Sequence, residues 1–322
     1  MSATAPGRVL WPTTHRLEAV TVLTIDAHHH LWDLEVRGQD WISGEAMAPL
    51  NRSFGVAELA DEARAAGVGA CVVVQTVTVA GETPELLALA AGRELLAGVV
   101  GWTDLTAPDV ADTIAELREL PGGRSLVGIR HQVQHEADPH WLLRPDVLNG
   151  LRAVARAGLA YDLVLLPGQL PAATTAAARV PELTFVLDHL GKPPIAAGGA
   201  EPWFRAVHRL AQLPNTVCKL SGMVTEADWH TWTTSDLRPY ADAVLEAFGP
   251  HRLMFGSDWP VCTLAASYGD VLAAARLLTR QLSRPEQQAV FATTAVNTYR
   301  LALPPDRPPA DGAAPSIPSM GG

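Results

Sequence analysis

Three histidines in a row, His28, His29 and His30, lie shortly after an apolar run at residues 20–25. Imidazole exchanges protons near neutral pH and is the commonest metal ligand in proteins. Side chains alternate between the two faces of a strand, so His28 and His30 share one face and His29 takes the other. We therefore expect His28 and His30 to work as a pair, with His29 as a spacer between them.

The elements that must position this pair are eight short β-rich runs, most of which are followed by a stretch of helical periodicity. Most runs are nearly continuous in Val, Leu and Ile, which is typical of parallel strands buried on both faces. They recur at about the 30 residues that one βαβ unit needs. The pattern predicts an α/β fold, a single (β/α)8 TIM barrel. The runs are 20–28, 69–76, 96–105, 126–132, 159–166, 183–191, 216–222 and 252–260.

Residues capable of acid–base, electrostatic or ligand chemistry lie at the ends of these runs. The carboxyl ends of barrel strands open at one mouth, where such barrels place their sites, so we expect one shared site. Taken singly, an Asp after a Gly-Ser turn is commonly a helix N-cap, and a buried Lys or Arg is commonly an ion-pair partner. The residues are His28, His30, Gln75, Trp102, Asp104, Arg130, His131, Tyr161, Asp162, Asp188, His189, Lys219, Ser221, Ser257 and Asp258.

The remaining segments are expected to lie outside the barrel. Residues 1–19 are predicted to be an N-terminal extension, 20–302 the barrel, and the Pro/Gly/Ala-rich residues 303–322 a disordered C-terminal tail. The long segment 34–56 follows the first strand and is predicted to be a lid or a pocket wall.

Composition limits the partners. The 322 residues carry a net charge of −10, with 48% hydrophobic and 18% charged residues, which indicates an ordinary globular protein and argues against nucleic acid. No apolar run is long enough for a membrane span, no secretory signal is evident, and three widely spaced cysteines argue against a disulfide framework. We expect a cytoplasmic protein with a small-molecule substrate; homo-oligomer formation is left open.

Five motifs make the chain resemble the amidohydrolase superfamily, over about residues 22 to 300. Within it, the sequence is most similar to the sugar-acid lactonases of amidohydrolase family 2, which open L-fucono- or L-rhamnonolactones. The motifs are Asp26-x-His28-x-His30-x-Trp32, Gly128-Ile129-Arg130-His131, Leu187-Asp188-His189-x-Gly191-Lys192-Pro193, Lys219-x-Ser221-Gly222 and Phe255-Gly256-Ser257-Asp258-Trp259-Pro260.

The resemblance implies hydrolysis of a lactone by water. Asp258 is expected to act as general base, and Arg130, with His28 and His30 as hydrogen-bond donors, to polarise the carbonyl. His189 is expected to hold Asp258 or the water in line. The predicted substrate contacts are Gln75, Trp102, Tyr161 and Lys192, whereas Lys219 and Ser221 are interpreted as barrel packing or support.

The resemblance also bears on metals. Binuclear members of the superfamily carry a carboxylated lysine near the end of strand four or five, where this chain has Arg130-His131 and Tyr161-Asp162. A two-metal site is therefore not expected, and the lactonase branch implies that no cofactor is required. The alternative is a single zinc ion, with ligands His28, His30, His189 and Asp258.

Two other functions are compatible with the motifs. The first is a zinc-dependent hydrolase or decarboxylase of the same superfamily, acting on a carboxylated small molecule. The second is a catalytically silent barrel that binds a sugar acid. The complete set of strand-end histidine, arginine and aspartate residues argues against the silent barrel.

Overall fold

The computed structural model describes residues 23–303. The predicted N-terminal extension and all but the first residue of the predicted tail lie outside the described residues, and their boundaries stay predictions. Eight parallel strands pair in chain order, which confirms the predicted barrel fold. The strands are β1 (Thr24–His29), β2 (Val68–Val74), β3 (Leu96–Gly101), β4 (Leu126–Gln132), β5 (Ala160–Val164), β6 (Phe185–Leu187), β7 (Thr216–Leu220) and β8 (Leu253–Phe255).

Helices connect the strands and surround the barrel. Helix α1 ends at Ala66, and Gly67, whose backbone is left-handed (φ 71°), caps its C-terminus. No helix among residues 23–303 is both long and apolar enough to cross a membrane. The helices are α1 (Val56–Ala66), α2 (Glu82–Ala90), α3 (Val110–Glu119), α4 (Pro145–Arg156), α5 (Leu170–Arg179), α6 (Glu201–Ala211), α7 (Met223–Glu226), α8 (Thr234–Phe248), α9 (Tyr268–Leu278), α10 (Arg284–Gln288) and α11 (Thr294–Tyr299).

The strand side chains alternate between two apolar layers. Residues such as Val73 and Val99 face outward and pack in one cluster with the surrounding helices. Residues such as Val72 and Val100 face inward and pack in a second cluster with the chain's last helical segment. A π-helical turn, Ala289–Thr293, joins α10 to α11 in that segment. The barrel interior is thus a packed core with polar residues only where the site requires them.

Strand β1 contains an irregularity that affects the histidines. Asp26 pairs with Cys71 and His29 pairs with Val73, so three residues of β1 oppose two of β2. Such a β-bulge shifts the alternation of side chains by one residue. Asp26 and His29 consequently lie on the outer face, whereas His28 contacts residues of the barrel interior. Two-residue spacing alone would have placed Asp26 and His28 on the same face.

Hydrogen bonds between β1 and the segment after β8 close the barrel. The backbone N–H of Asp258 donates to the carbonyl of His28 (2.8 Å), and the N–H of His30 donates to the carbonyl of Trp259 (2.7 Å). On the outer face, Asp26 Oδ1 accepts from the N–H of Ser257 at 2.8 Å. The seam that closes the barrel therefore also fixes Asp258 beside His28 and His30.

Gly256 gives a test of this seam. A Cβ atom at Gly256 would lie 2.6 Å from Cβ of His28 and 3.1 Å from Cβ of Ser221. We expect Gly256→Ala to lower the free energy of unfolding by about 1–3 kcal/mol, the usual cost of overpacking a core. The measurement is urea unfolding. Gly168→Ala is the matched control because a Cβ there meets nothing within 4 Å. Equal stabilities of the two variants would contradict the close packing of Gly256 against His28 and Ser221.

Candidate active site

A cavity of about 320 Å³ opens at the carboxyl ends of the strands. This volume is in the range of small-molecule sites, about 300–1,000 Å³. The predicted wall segment 34–56 contributes Trp41 and Met47 to the lining. The other lining residues are His30, Thr76, Arg130, Gln132, Gln134, His135, Val164, His189, Lys192, Thr225, Glu226, Trp229, Asp258, Val261 and Leu264.

Three imidazoles converge on one carboxylate at the base of the cavity. Asp258 Oδ1 lies 3.4 Å from His30 Nε2, 3.8 Å from His28 Nε2 and 3.8 Å from His189 Nε2. All four side chains are buried. We call His28, His30, His189 and Asp258 the histidine–aspartate cluster. Residues from β1, from the end of β6 and from the end of β8 thus meet at a single point.

Unusual backbone conformations hold two members of the cluster in place. Asp258 has φ 58° and His189 has φ 52°, in the left-handed region that non-glycine residues rarely occupy. Such strain costs of order 1–3 kcal/mol per residue and persists where the surrounding structure enforces it. Gly222 makes room for His189, because a Cβ there would lie 2.4 Å from His189 Nδ1.

Hydrogen bonds orient the imidazole rings. His30 Nδ1 lies 2.8 Å from the carbonyl of Val74, and a carbonyl only accepts, so Nδ1 carries the proton. The other ring nitrogen, Nε2, lies 3.2 Å from His28 Nε2 and 3.4 Å from Asp258 Oδ1. Because these neighbours already contact Nε2, the geometry does not support the expectation that His30 donates to a substrate carbonyl. His189 Nδ1 is 2.9 Å from the hydroxyl of Ser221, which gives Ser221 a positioning role.

A network of buried charges lies beneath the cluster. Lys219 Nζ is 2.5 Å from Asp162 Oδ2 and 2.9 Å from Asp188 Oδ1. It also lies 3.0 Å from His28 Nδ1, and the hydroxyl of Tyr299 donates to Asp162 Oδ2 at 2.8 Å. Lys219 is therefore an ion-pair partner inside the barrel, as interpreted from the sequence. It does not line the cavity, and it contacts the site through His28 and Asp188.

Arg130 connects this network to the cavity. Its Nη1 donates to Asp188 Oδ2 at 3.0 Å and its Nε donates to Gln75 Oε1 at 2.9 Å. Its Nη2 donates to the backbone carbonyl of Gln75. Gln75 is fully buried and is not among the residues that line the cavity. The structure therefore places Gln75 as the residue that orients Arg130, not as the predicted substrate contact.

Burial and neighbouring charges set the ionisation of the site. Burial lowers the pKa of His189 to about 4, and burial together with Lys219 holds the pKa of His28 well below its usual value. Burial opposes ionisation of Asp258, but His189 and His30 outweigh it, so the pKa of Asp258 is lowered. At neutral pH an ionised Asp258 therefore faces neutral His28 and His189.

The structure separates the other predicted substrate contacts. Lys192 lines the cavity, where its ammonium donates to Glu226 Oε1 at 2.5 Å. Trp102 does not line it; its indole N–H donates to His131 Nδ1 at 3.1 Å. Tyr161 is fully buried on the outer face of β5, 6.0 Å from Phe185 between ring centroids. Tyr161 therefore cannot contact a ligand in the cavity.

Several cavity residues were not singled out from the sequence, and three of them, Trp41, Glu226 and Trp229, offer a charged or aromatic side chain. Glu226 and Trp229 follow β7 at distances that match no motif, so no spacing indicates them. Trp41 lies in the segment that the sequence predicts to be a lid or a wall, and its aromatic side chain was the available signal. All three line the cavity.

The histidine–aspartate cluster fits a metal ion in its donor set. Imidazole nitrogens with one carboxylate oxygen are the ligands that zinc prefers, and a tetrahedral site with 2.0–2.1 Å bonds separates them by about 3.3 Å. The separations to Asp258 Oδ1 quoted above are slightly larger than this. His28, His30 and Asp258 present one ligand atom each within 4.8 Å of one another. Asp258 has no Lys or Arg partner among the described residues, so a cation would balance its charge.

Known proteins resemble this chain over nearly its whole length. The L-fucono-1,5-lactonase of Burkholderia multivorans is 41% identical over 295 residues, which cover 88% of this chain and 98% of that protein. The L-fucono-1,5-lactonase of Burkholderia ambifaria is 38% identical over 291 residues, covering 89% and 97%. The crystal structure of a Burkholderia multivorans amidohydrolase with bound Zn superposes with a TM-score of 0.82 at 41% identity, covering 87% of this chain and 100% of that one.

The family follows from these comparisons. A family model described as amidohydrolase matches residues 25–301, which is also the extent of the barrel. The resemblance noted in the sequence motifs is therefore confirmed by an independent match across the whole fold. The chain belongs to the amidohydrolase family and is a hydrolase.

Proposed function

We propose that this enzyme hydrolyses a sugar lactone, with L-fucono-1,5-lactone as the first substrate to test. The observation that carries the proposal is the carboxylate of Asp258, on which three buried imidazoles converge at 3.4–3.8 Å at the base of a cavity. The relatives of 41% and 38% identity, both L-fucono-1,5-lactonases, support the choice of substrate.

Asp258 acts as the general base in this proposal. Its Oδ1 atom faces the three imidazoles, and its carboxylate lines the cavity where a water and a lactone meet. It takes a proton from the water as the water attacks the lactone carbonyl. The same proton then passes to the ring oxygen when the C–O bond breaks, so Asp258 returns to its starting state. His189 lies close enough to hold the carboxylate in line.

Arg130 stabilises the negative charge that develops on the carbonyl oxygen. A guanidinium has five N–H donors; contacts to Gln75 and Asp188 occupy three of them, and Nη1 also lies 3.4 Å from His28 Nε2. The remaining donor, on Nη2, is available to an oxyanion in the cavity that Arg130 lines. Because these contacts fix the guanidinium beforehand, no reorganisation is needed during the reaction.

A zinc ion held by the histidine–aspartate cluster is a second version of the same chemistry. The donor set that favours it is described above, and a similar chain was crystallised with bound Zn. When bound, zinc would polarise the carbonyl and lower the pKa of a bound water. In that version Asp258 would be one of the residues that hold the ion, together with His28, His30 and His189.

The charges of the cavity favour a neutral substrate over a carboxylated one. Arg130 is paired with Asp188, and Lys192 is paired with Glu226. Each Lys and Arg among the described cavity-lining residues is thus already neutralised by a carboxylate, so a carboxylated substrate would meet no unpaired positive charge, and Asp258 would repel it. This supports a lactone over the acids expected for the decarboxylase alternative.

Asp258→Asn tests the base. Asparagine keeps the shape of the side chain but cannot take a proton, so we expect kcat to fall by at least about 10²-fold, as for loss of a general base. Acid release from L-fucono-1,5-lactone is followed with a pH indicator, and folding is checked by urea unfolding. Asp146→Asn, at an exposed residue paired with Arg144, is the control and should keep full activity. Near-normal turnover in folded Asp258→Asn protein would rule out Asp258 as the general base.

Removal of metal separates the two versions. We expect the protein to bind zinc, because the cluster offers it suitable ligands, and to keep its activity once chelation has removed the zinc, because Asp258 and Arg130 supply the chemistry. Metal content is measured by mass spectrometry on the same samples that are assayed. Loss of activity on stripping, followed by recovery with stoichiometric zinc, would instead establish the zinc version.

Tyr161→Phe tests the boundary of the site. The Tyr161 hydroxyl makes no hydrogen bond of normal geometry with the described residues and faces away from the cavity. We expect kcat and KM to stay unchanged and the free energy of unfolding to change by less than about 1 kcal/mol. A raised KM would show that Tyr161 contacts the substrate after all.

A further inference from the structure

We propose that Lys192 and Glu226 form a clamp for hydroxyl groups of the lactone ring and so make the enzyme selective for neutral, polyhydroxylated lactones. This inference rests on the proposed lactone hydrolysis and deepens it. It assigns a chemical task to two cavity residues that the hydrolytic steps do not use.

The geometry of the pair suits hydroxyl groups. Lys192 Nζ donates to Glu226 Oε1 at 2.5 Å, and each side chain is about a quarter exposed, at 24% and 23%. An ammonium has three N–H donors, so two remain after the contact to Glu226. Glu226 Oε2 accepts no hydrogen bond from the residues that the structure describes. The pair thus presents donors and an acceptor side by side, which matches adjacent hydroxyls.

The pair is held rigidly relative to the reacting groups. Lys192 has a left-handed backbone (φ 53°), and its N–H donates to the carbonyl of His189 at 2.8 Å. The N–H of Ala196 donates to the carbonyl of Glu226 at 3.0 Å, which ties the two loops together. These loops also carry His189 and its partner Ser221. Hydroxyls bound by the pair would therefore fix the ring relative to Asp258.

Two tryptophans add an apolar surface to the same cavity. The indole N–H of Trp41 donates to Gln39 Oε1 at 2.8 Å, and that of Trp229 donates to the carbonyl of Thr225 at 2.9 Å. Since both N–H groups are occupied, each indole offers its ring to a ligand. A sugar ring presents C–H groups on its faces and hydroxyls at its edge, so it matches both the indoles and the Lys192–Glu226 pair.

The charge of the pair also distinguishes substrate from product. The ion pair carries no net charge, so it binds neutral hydroxyls without attracting anions. Ring opening creates a carboxylate in a cavity that already contains Asp258, whose charge no Lys or Arg among the described residues pairs. Like charges repel at such short range, so the product is bound less tightly than the lactone, which favours its release.

The test compares two lactones that differ in their hydroxyls. Hydrolysis of L-fucono-1,5-lactone and of unsubstituted δ-valerolactone is measured for the full-length wild type, Glu226→Gln and Lys192→Met. The readout is the ratio of kcat/KM for the sugar lactone to that for δ-valerolactone. We expect both variants to lower this ratio about 10- to 100-fold, the worth of a hydrogen bond to a charged group. The sugar lactone should lose affinity, seen as a higher KM.

Matched controls distinguish the clamp from a purely structural role of the pair. Asp61 and Arg64 form an exposed ion pair of 2.7 Å on helix α1, and Asp61→Asn and Arg64→Met should leave the ratio unchanged. An unchanged ratio in Glu226→Gln and Lys192→Met would overturn the clamp, even if both activities fell, because the pair would then only tether its loops. If the wild type opens neither lactone, the proposed function fails, and the clamp fails with it.

Discussion

The rest of this site depends on one buried electrostatic contact, in which Lys219 lies between the carboxylates of Asp162 and Asp188. Burying an unpaired charge costs several kcal/mol, yet the barrel interior contains Asp162 and Asp188 with no exposure. Lys219 lies within 2.9 Å of both and lets them remain together. Asp188 can then hold Arg130 by one oxygen and approach His28 Nδ1 to 3.3 Å by the other. A charge deep in the barrel thus sets the position of two groups at its mouth.

Strong local patterns allowed much of this fold to be predicted. The eight apolar runs predicted all eight strands, because the apolar composition that buries a strand is visible within each run. The predicted barrel topology then placed Asp258, His189 and Arg130 at one mouth. The error at Tyr161 has a clear origin. Neighbouring residues of a strand face opposite sides, and Asp162 faces inward because it pairs with Lys219 inside the barrel. Tyr161 therefore faces outward, which the strand-end position alone did not indicate.

Other features of the site depend on long-range contacts and could not be predicted. The bulge in β1, which separates Asp26 from His28, arises from pairing with β2 and not from the β1 sequence itself. Whether Gln75 contacts substrate or Arg130 depends on a guanidinium from another strand. The left-handed backbone of Asp258 is likewise imposed from outside: Asp26 accepts hydrogen bonds from the N–H groups of Ser257 and His28. That carboxylate, on the far side of the strand from the cavity, stabilises a conformation that Asp258 would not adopt alone.

The seam between β1 and β8 also has a consequence for biosynthesis. Asp26 and Ser257 are 231 residues apart along the chain, and Tyr299 and Asp162 are 137 apart. Contacts between such distant residues slow folding, because a long loop must close before they form. Strand β1 can pair with β2 as soon as both have been made, but its other edge stays unpaired until the segment after β8 has been synthesised. The histidine–aspartate cluster therefore assembles only after Asp258 has been added to the chain, long after His28 and His30.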